Sequence, residues 1–116
     1  MYRYIQISSD DSFSHSLPRE RLVSLIKSLP ECVVDTRHSF KNSEDAPWFR
    51  INFGVCDAEG NYAANPAEVS ERMNMVELIC AEHGDQKTRD FFDQFADRIA
   101  NALGWSAFSS NVHEAE

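Results

Sequence analysis

From Phe49 to Val55 the chain alternates without a break: Phe49, Ile51, Phe53 and Val55 are apolar, and Arg50, Asn52 and Gly54 separate them. A period of two turns successive side chains to opposite faces, so this pattern buries one side of a β-strand and wets the other; it puts no continuous apolar stripe on a helix. One strand has no stability of its own. The remaining sequence must supply strands to pair with it and a layer to cover its apolar side. With 116 residues there is material for one core and one domain.

Candidate partners are easily found. Tyr2 to Ser8 carries aromatic and β-branched residues on both parities, the pattern of an interior strand covered on both faces, and the polar cluster Ser9-Asp10-Asp11-Ser12 follows as a turn. Met73 to Ala81 places Val76, Leu78 and Cys80 on one parity and Met75, Ile79 and Ala81 on the other, which predicts a central strand needing cover on both sides. Cys32 to Phe40 and Trp105 to Ser109 complete the set, while Tyr62 to Arg72, with Pro66, is a connection without assigned structure.

The covering layer is helical. Leu22, Leu25, Ile26 and Leu29 fall at i, i+3, i+4 and i+7, with Ser16 or Leu17 as cap, Pro18 in the first turn and Pro30 as terminator. Asp85 is placed to cap a second helix in which Phe92, Phe95, Ala96, Ile99 and Leu103 keep the 3.6 period, and Gly104 is placed to end it in the left-handed conformation. The expected architecture is one α+β domain over residues 1–116: a mostly antiparallel sheet of about five strands with two helices packed on one face, in the order β-α-β-β-β-α-β, and a flexible tail from 110 to 116.

Charge is unevenly distributed. The chain carries a net charge of -8, yet residues 1–56 balance seven acids against seven bases, and residues 57–97 hold ten acids against Arg72, Lys87 and Arg89. Nucleic acid and anionic membranes are unfavourable partners for such a chain, and a basic protein surface is a favourable one. No segment has the apolar length of a membrane span or a secretory leader, and three cysteines, an odd number, suit a reducing cytoplasm.

Chemistry-bearing motifs are sparse. Cys32, Cys56 and Cys80 with His83 include one ligand-like spacing, Cys80-x-x-His83, but fall in or at the ends of expected strands, where free cysteine acts as a small hydrophobe. His15, His38, His83 and His113 are present without a Gly-x-Ser-x-Gly turn, a glycine-rich phosphate loop or a His-Glu-x-x-His pair. The expectation is a non-enzymatic binding protein with no metal and no cofactor. Two acidic surfaces are candidates for a partner. One joins the stripe Asp90, Asp93 and Asp97 on the second helix, opposite its apolar face, to the turn acids Asp57 and Glu59. The other gathers Asp10, Asp11, Glu44 and Asp45 around Trp48, whose rigid ring could anchor an interface.

Three stretches carry a resemblance: Tyr4-Ile5-Gln6-Ile7-Ser8-Ser9-Asp10-Asp11-Ser12-Phe13; Pro47-Trp48-Phe49-Arg50-Ile51-Asn52-Phe53 followed by Cys56-Asp57-Ala58-Glu59-Gly60-Asn61-Tyr62; and Met75-Val76-Glu77-Leu78-Ile79-Cys80. With the closing Ala102-Leu103-Gly104-Trp105, the chain resembles the small acidic immunity proteins found beside bacterial polymorphic toxins of contact-dependent inhibition, Rhs and type VI systems. The resemblance implies a cytoplasmic protein that binds a cognate toxin C-terminal domain and neutralises it by stoichiometric occlusion. The charge balance then favours a basic, nuclease-type or other RNA-directed toxin. The competing class is a secretion chaperone for a bacterial effector, which is also small, acidic and cytosolic and holds its client in exposed apolar grooves.

Overall fold

The structure is a computed structural model describing residues 2–37, 39–59, 71–81 and 85–110. Its elements in chain order are β1 (Tyr2–Ser8), β2 (Leu17–Pro18), α1 (Arg19–Lys27), β3 (Cys32–Thr36), β4 (Ser39–Asn42), β5 (Phe49–Gly54), β6 (Arg72–Met73), β7 (Met75–Ala81), α2 (Gln86–Leu103) and β8 (Ser106–Ser110). Six strands form one antiparallel sheet in the order β3-β4-β5-β7-β1-β8, and β2 pairs with β6 in a separate two-stranded ribbon. This is the expected α+β domain, with two helices among the described residues.

The alternating segment behaves as its pattern requires. Phe49, Ile51 and Phe53 are buried, while Arg50 and Asn52 lie on the opposite, partly open face. The Phe49 ring packs against two rings of α2, 5.1 Å from Phe95 and 6.1 Å from Phe92, the latter edge-on. Each such pair contributes about 0.5–1.5 kcal/mol beyond the burial of its area. Around this seam the core gathers Ile5 and Ile7 of β1, Val76, Leu78 and Cys80 of β7, Leu22 and Ile26 of α1, and Ala96, Ile99 and Leu103 of α2.

Helix ends follow local chemistry. Asp85 accepts a hydrogen bond from the Lys87 backbone N–H at 3.0 Å and another from the Thr88 hydroxyl, satisfying the first turn of α2. At the other end Gly104 takes φ 73°, and its N–H and that of Trp105 close on the last carbonyls.

Several expectations need correction. Cys32 to Phe40 is a hairpin of two strands, β3 and β4, so the sheet has six strands rather than about five. The strand expected from Met73 to Ala81 breaks at Asn74, whose side chain turns away to bond other loops, and Arg72–Met73 joins the small ribbon instead. The first helix begins at Arg19 with Pro18 as its cap position, because Leu17 and Pro18 pair with Met73 and Arg72. Strands β1 and β7 are interior and the helices pack on one face, as expected, but among the described residues the other face lacks the matching cover that the two-sided apolar pattern of these strands suggests. On that face, Tyr2 is exposed and Tyr4, Gln6, Glu77 and Ile79 are half-buried. Cover on that side is local: Phe13, Cys56 and Met75 form a second small cluster at one end. The connection at 60–70 and the tail residues 111–116 lie outside the described residues, whereas Ser110 belongs to β8.

Two substitutions measure these forces in urea unfolding. Phe49→Ala removes the ring under both α2 phenylalanines and is expected to cost about 3–5 kcal/mol. Gly104→Ala meets open space for its methyl group but must hold a left-handed backbone, and is expected to cost about 1 kcal/mol.

Candidate functional site

Strand register decides which acidic loops can act together. Gly54 pairs with Met75, Ile7 with Val76 and Ser8 with Ser106, so β5 and β1 finish at the same end of the sheet with only β7 between them. The loops that follow, residues 9–16 and 55–59, therefore emerge about two strand spacings apart, roughly 10 Å. They bring together Asp10, Asp11, Asp57 and Glu59. Lys41 pairs with Arg50, so the β4–β5 hairpin with Glu44, Asp45 and Trp48 lies at the opposite end, a strand length of roughly 20 Å away. The loop set Asp10, Asp11, Glu44, Asp45 and Trp48 is thus split between two ends of the sheet.

Asn74 ties the two acidic loops to each other. Its amide oxygen accepts from the Cys56 backbone N–H at 2.8 Å, and its amide nitrogen donates to the carbonyls of Cys56 at 2.9 Å and Phe13 at 3.3 Å. Beneath it the Phe13, Cys56 and Met75 side chains pack as one cluster, with Phe13 at φ 57°. Such a backbone angle is uncommon for an aromatic residue, and the burial of the ring holds it there. Asp10 organises its own loop. Its carboxylate accepts from the Ser14 hydroxyl, from the Ser14 and Ser12 backbone N–H groups at 3.1 Å, and from the Ser12 hydroxyl. Bonds from Ser14, side chain first, hold its pKa down at about 2. Asp10 therefore stays charged at any physiological pH. Asp11, Asp57 and Glu59 are exposed, and Asp57 accepts from the Glu59 backbone N–H at 3.0 Å.

A shallow concavity of about 300 Å³ adjoins these loops, with His15, Ser16, Arg72 and Asn74 on its wall. His15 Nδ1 lies 2.9 Å from the Ser14 oxygen. The order is carboxylate, hydroxyl, imidazole, whereas a nucleophilic triad needs the imidazole in the middle to take the hydroxyl proton. The Ser14 hydroxyl donates its proton to Asp10 and not to the imidazole. Arg72 binds Ser16 through its hydroxyl and carbonyl oxygens.

The helix stripe is dispersed in a different way. Asp93 forms an ion pair with Arg3 of β1, whose side chain is only 10% exposed, so this aspartate is committed within the fold. Asp90 accepts from Gln86 at 2.8 Å, one turn earlier on the same helix. Asp97 is exposed and, with Asp93, borders a groove of about 310 Å³ between α2 and strands β1 and β8. All three aspartates of the stripe are exposed, Asp93 and Asp97 on the flank of α2 that borders the sheet, and Asp57 and Glu59 belong to the loop end.

The thiols occupy three separate environments. Cys80 is fully buried in the main core, Cys56 is buried in the small cluster, and Cys32 is half-buried on an edge strand. Burial, with the neighbouring Glu31 charge, pushes the Cys32 pKa up to about 12, and burial with Asp57 and Glu77 raises that of Cys56. A nucleophile or metal ligand needs the thiolate, which these sites disfavour. Among the described residues no three His, Cys, Asp or Glu side chains converge as metal ligands, and His38, His83 and His113 lie outside them. No helix among the described residues is long and apolar enough to cross a membrane.

Asn74, Ser14 and Arg3 have no motif that marks them in the sequence, because each acts through partners distant along the chain or through loop geometry. Comparison of the chain with known protein families, with curated proteins and with solved structures gives no match.

Two measurements separate structural from available carboxylates. Asp93→Ala leaves the nearly buried Arg3 guanidinium without its carboxylate and is expected to cost about 1 kcal/mol or somewhat more. Asp90→Ala and Asp97→Ala should stay within about 0.5 kcal/mol. Asp10 has its folded pKa depressed from 3.8 to about 2, so its contribution to stability is present above pH 4 and is lost as pH falls towards 2. In acid titrations of unfolding, Asp10→Asn should flatten the stability loss in that window.

Proposed function

We propose that this chain is an immunity protein: it binds a cognate toxin domain in the bacterial cytoplasm and neutralises it by covering a basic surface, that of a nuclease-type or other RNA-directed toxin. The observation that carries the reading is the juxtaposition of Asp10, Asp11, Asp57 and Glu59 at one end of the sheet, on two loops held by Asn74. A carboxylate patch on a fixed scaffold raises the encounter rate with a basic cleft and costs little ordering on contact. The surplus of acids over bases in residues 57–97 adds a field of the same sign. The resemblance of the strand and turn segments to toxin immunity proteins supplies the biological setting.

One observation favours the secretion chaperone as a second reading. The face of the sheet away from the helices presents Tyr2 and Trp48, 49% and 43% exposed, with rings 5.4 Å apart, together with the exposed Phe108. An apolar surface of that kind would suit an unfolded client more than a folded enzyme.

Co-expression with the toxin encoded beside this chain is expected to restore growth, and the triple reversal Asp11→Lys, Asp57→Lys, Glu59→Lys to abolish the rescue. In binding kinetics that triple variant should slow association about tenfold or more at low salt, with a smaller change in dissociation. Reversal of Asp90 and Asp97, or of Glu44 and Asp45 with Trp48→Ala, should have the lesser effect. Absence of rescue with both proteins soluble contradicts the immunity reading. Rescue that survives the triple reversal and is lost with Tyr2→Ala and Trp48→Ala moves the contact to the aromatic face.

A further inference from the structure

Strand β3 is one edge of the six-stranded sheet, and its sequence Cys32-Val33-Val34-Asp35-Thr36 contains neither a lysine nor a proline to discourage pairing. Val33 and Val34 are 44% and 49% exposed. The inner side of the strand is fixed by β4. The Glu31 carbonyl accepts from the Ser43 N–H at 2.8 Å, and the pairs Cys32–Asn42, Val33–Lys41 and Val34–Phe40 continue that register. In an antiparallel ladder the backbone groups alternate in direction, so those of Glu31 and Val33 face β4 and those of Val34 face away from the sheet, as do those of Cys32, whose N–H already donates to the Leu29 carbonyl at 3.1 Å.

We propose that this edge is the interface of a symmetric dimer, in which a second copy adds its own β3 antiparallel across a twofold axis at Val34. Around that axis the outward N–H and C=O of Val34 meet the same groups of the second copy as a reciprocal pair, and the two exposed valine side chains fall side by side. Charge selects a second copy over an unrelated strand, because the same register brings Glu31 opposite Arg37 of the other chain, twice over.

Both charges are suited to the exchange. The Arg37 side chain is 57% exposed and, among the described residues, forms an ion pair with the still more exposed Glu71 at 3.6 Å, a weak surface pair. Glu31 gives one carboxylate oxygen to Arg98 at 2.8 Å, while the other, enclosed, has no hydrogen-bond partner among the described residues. A cation from the second copy would act on that carboxylate through its field, beside Arg98, without reaching the enclosed oxygen. The register shift between Val34 and Thr36 leaves Asp35 out of the β4 ladder and engaged by Arg50 and Ser39. This bulge moves Arg37 by at most one position along the pairing, within the reach of an arginine side chain.

Sedimentation of the full chain at tens to hundreds of micromolar is expected to show concentration-dependent growth to the mass of two chains. Val34→Lys, at a site where a long polar side chain fits the exposed monomer, should weaken association at least tenfold without altering the far-ultraviolet spectrum. Arg37→Glu, which sets carboxylate against carboxylate, should weaken it as well. In a Cys32→Ala background, Val34→Cys should cross-link into a dimer on mild oxidation, since directly opposed residues in such a ladder lie within disulfide range. Val33→Cys in the same background should not cross-link. A chain that stays monomeric throughout that range, a dimer indifferent to Val34→Lys and Arg37→Glu, or equal cross-linking at both positions overturns the proposal.

Discussion

Phe49 lies beneath both Phe92 and Phe95, and that contact determines which side of the sheet the helices occupy. A strand has a side-chain period of two, so fixing one residue on the covered face fixes all its neighbours. Ile51 and Phe53 go inward with Phe49, and Arg50 and Asn52 go outward. Register carries the constraint to β7 and β1, where Leu78 and Ile5 follow it into the core while Ile79 and Tyr4 lie on the other face. The helices thereby decide two things together: where the core is, and which aromatic residues remain in reach of a partner.

The second determinant sits at the end of the sheet where β1 and β5 finish. An asparagine breaks the strand pattern at position 74, and its side chain satisfies backbone groups in both neighbouring loops. A buried backbone group without a partner costs about 1–3 kcal/mol, so Asn74 is worth more to these loops than an apolar residue that continued the strand. The Asp10 carboxylate performs the same task within its own loop and keeps its charge in doing so. Fold stability and an acidic surface come from the same side chains here. Available and structural carboxylates therefore have to be separated residue by residue: Asp93 serves Arg3, and Asp11 faces solvent.

Much of this architecture was legible in the sequence, for definite reasons. The alternation at Phe49–Phe53 and the 3.6-residue recurrence from Phe92 to Leu103 are local patterns enforced by one dominant core, and Asp85 and Gly104 mark the ends of a helix by chemistry that needs no tertiary partner. The β3–β4 hairpin was not legible because its turn, after Thr36, carries no glycine or proline, so two short strands read as one. The small ribbon was missed because Leu17–Pro18 and Arg72–Met73 are too short to show a period. The candidate surface was only half legible. Composition located the acidic residues, but whether Asp10 stands beside Asp57 or beside Glu44 depends on strand order, which no single segment encodes.

The central claim is that the two loops joined by Asn74 form the contact surface for a basic protein partner. Amide hydrogen exchange of this chain, alone and saturated with the cognate toxin domain, tests that claim at the level of the segments themselves. The account predicts new protection concentrated in residues 9–16 and 55–59, with little change in α2 or the β4–β5 hairpin. Protection confined to α2, to the hairpin around Trp48 or to the open face of the sheet, with the two loops exchanging as freely as before, would contradict it.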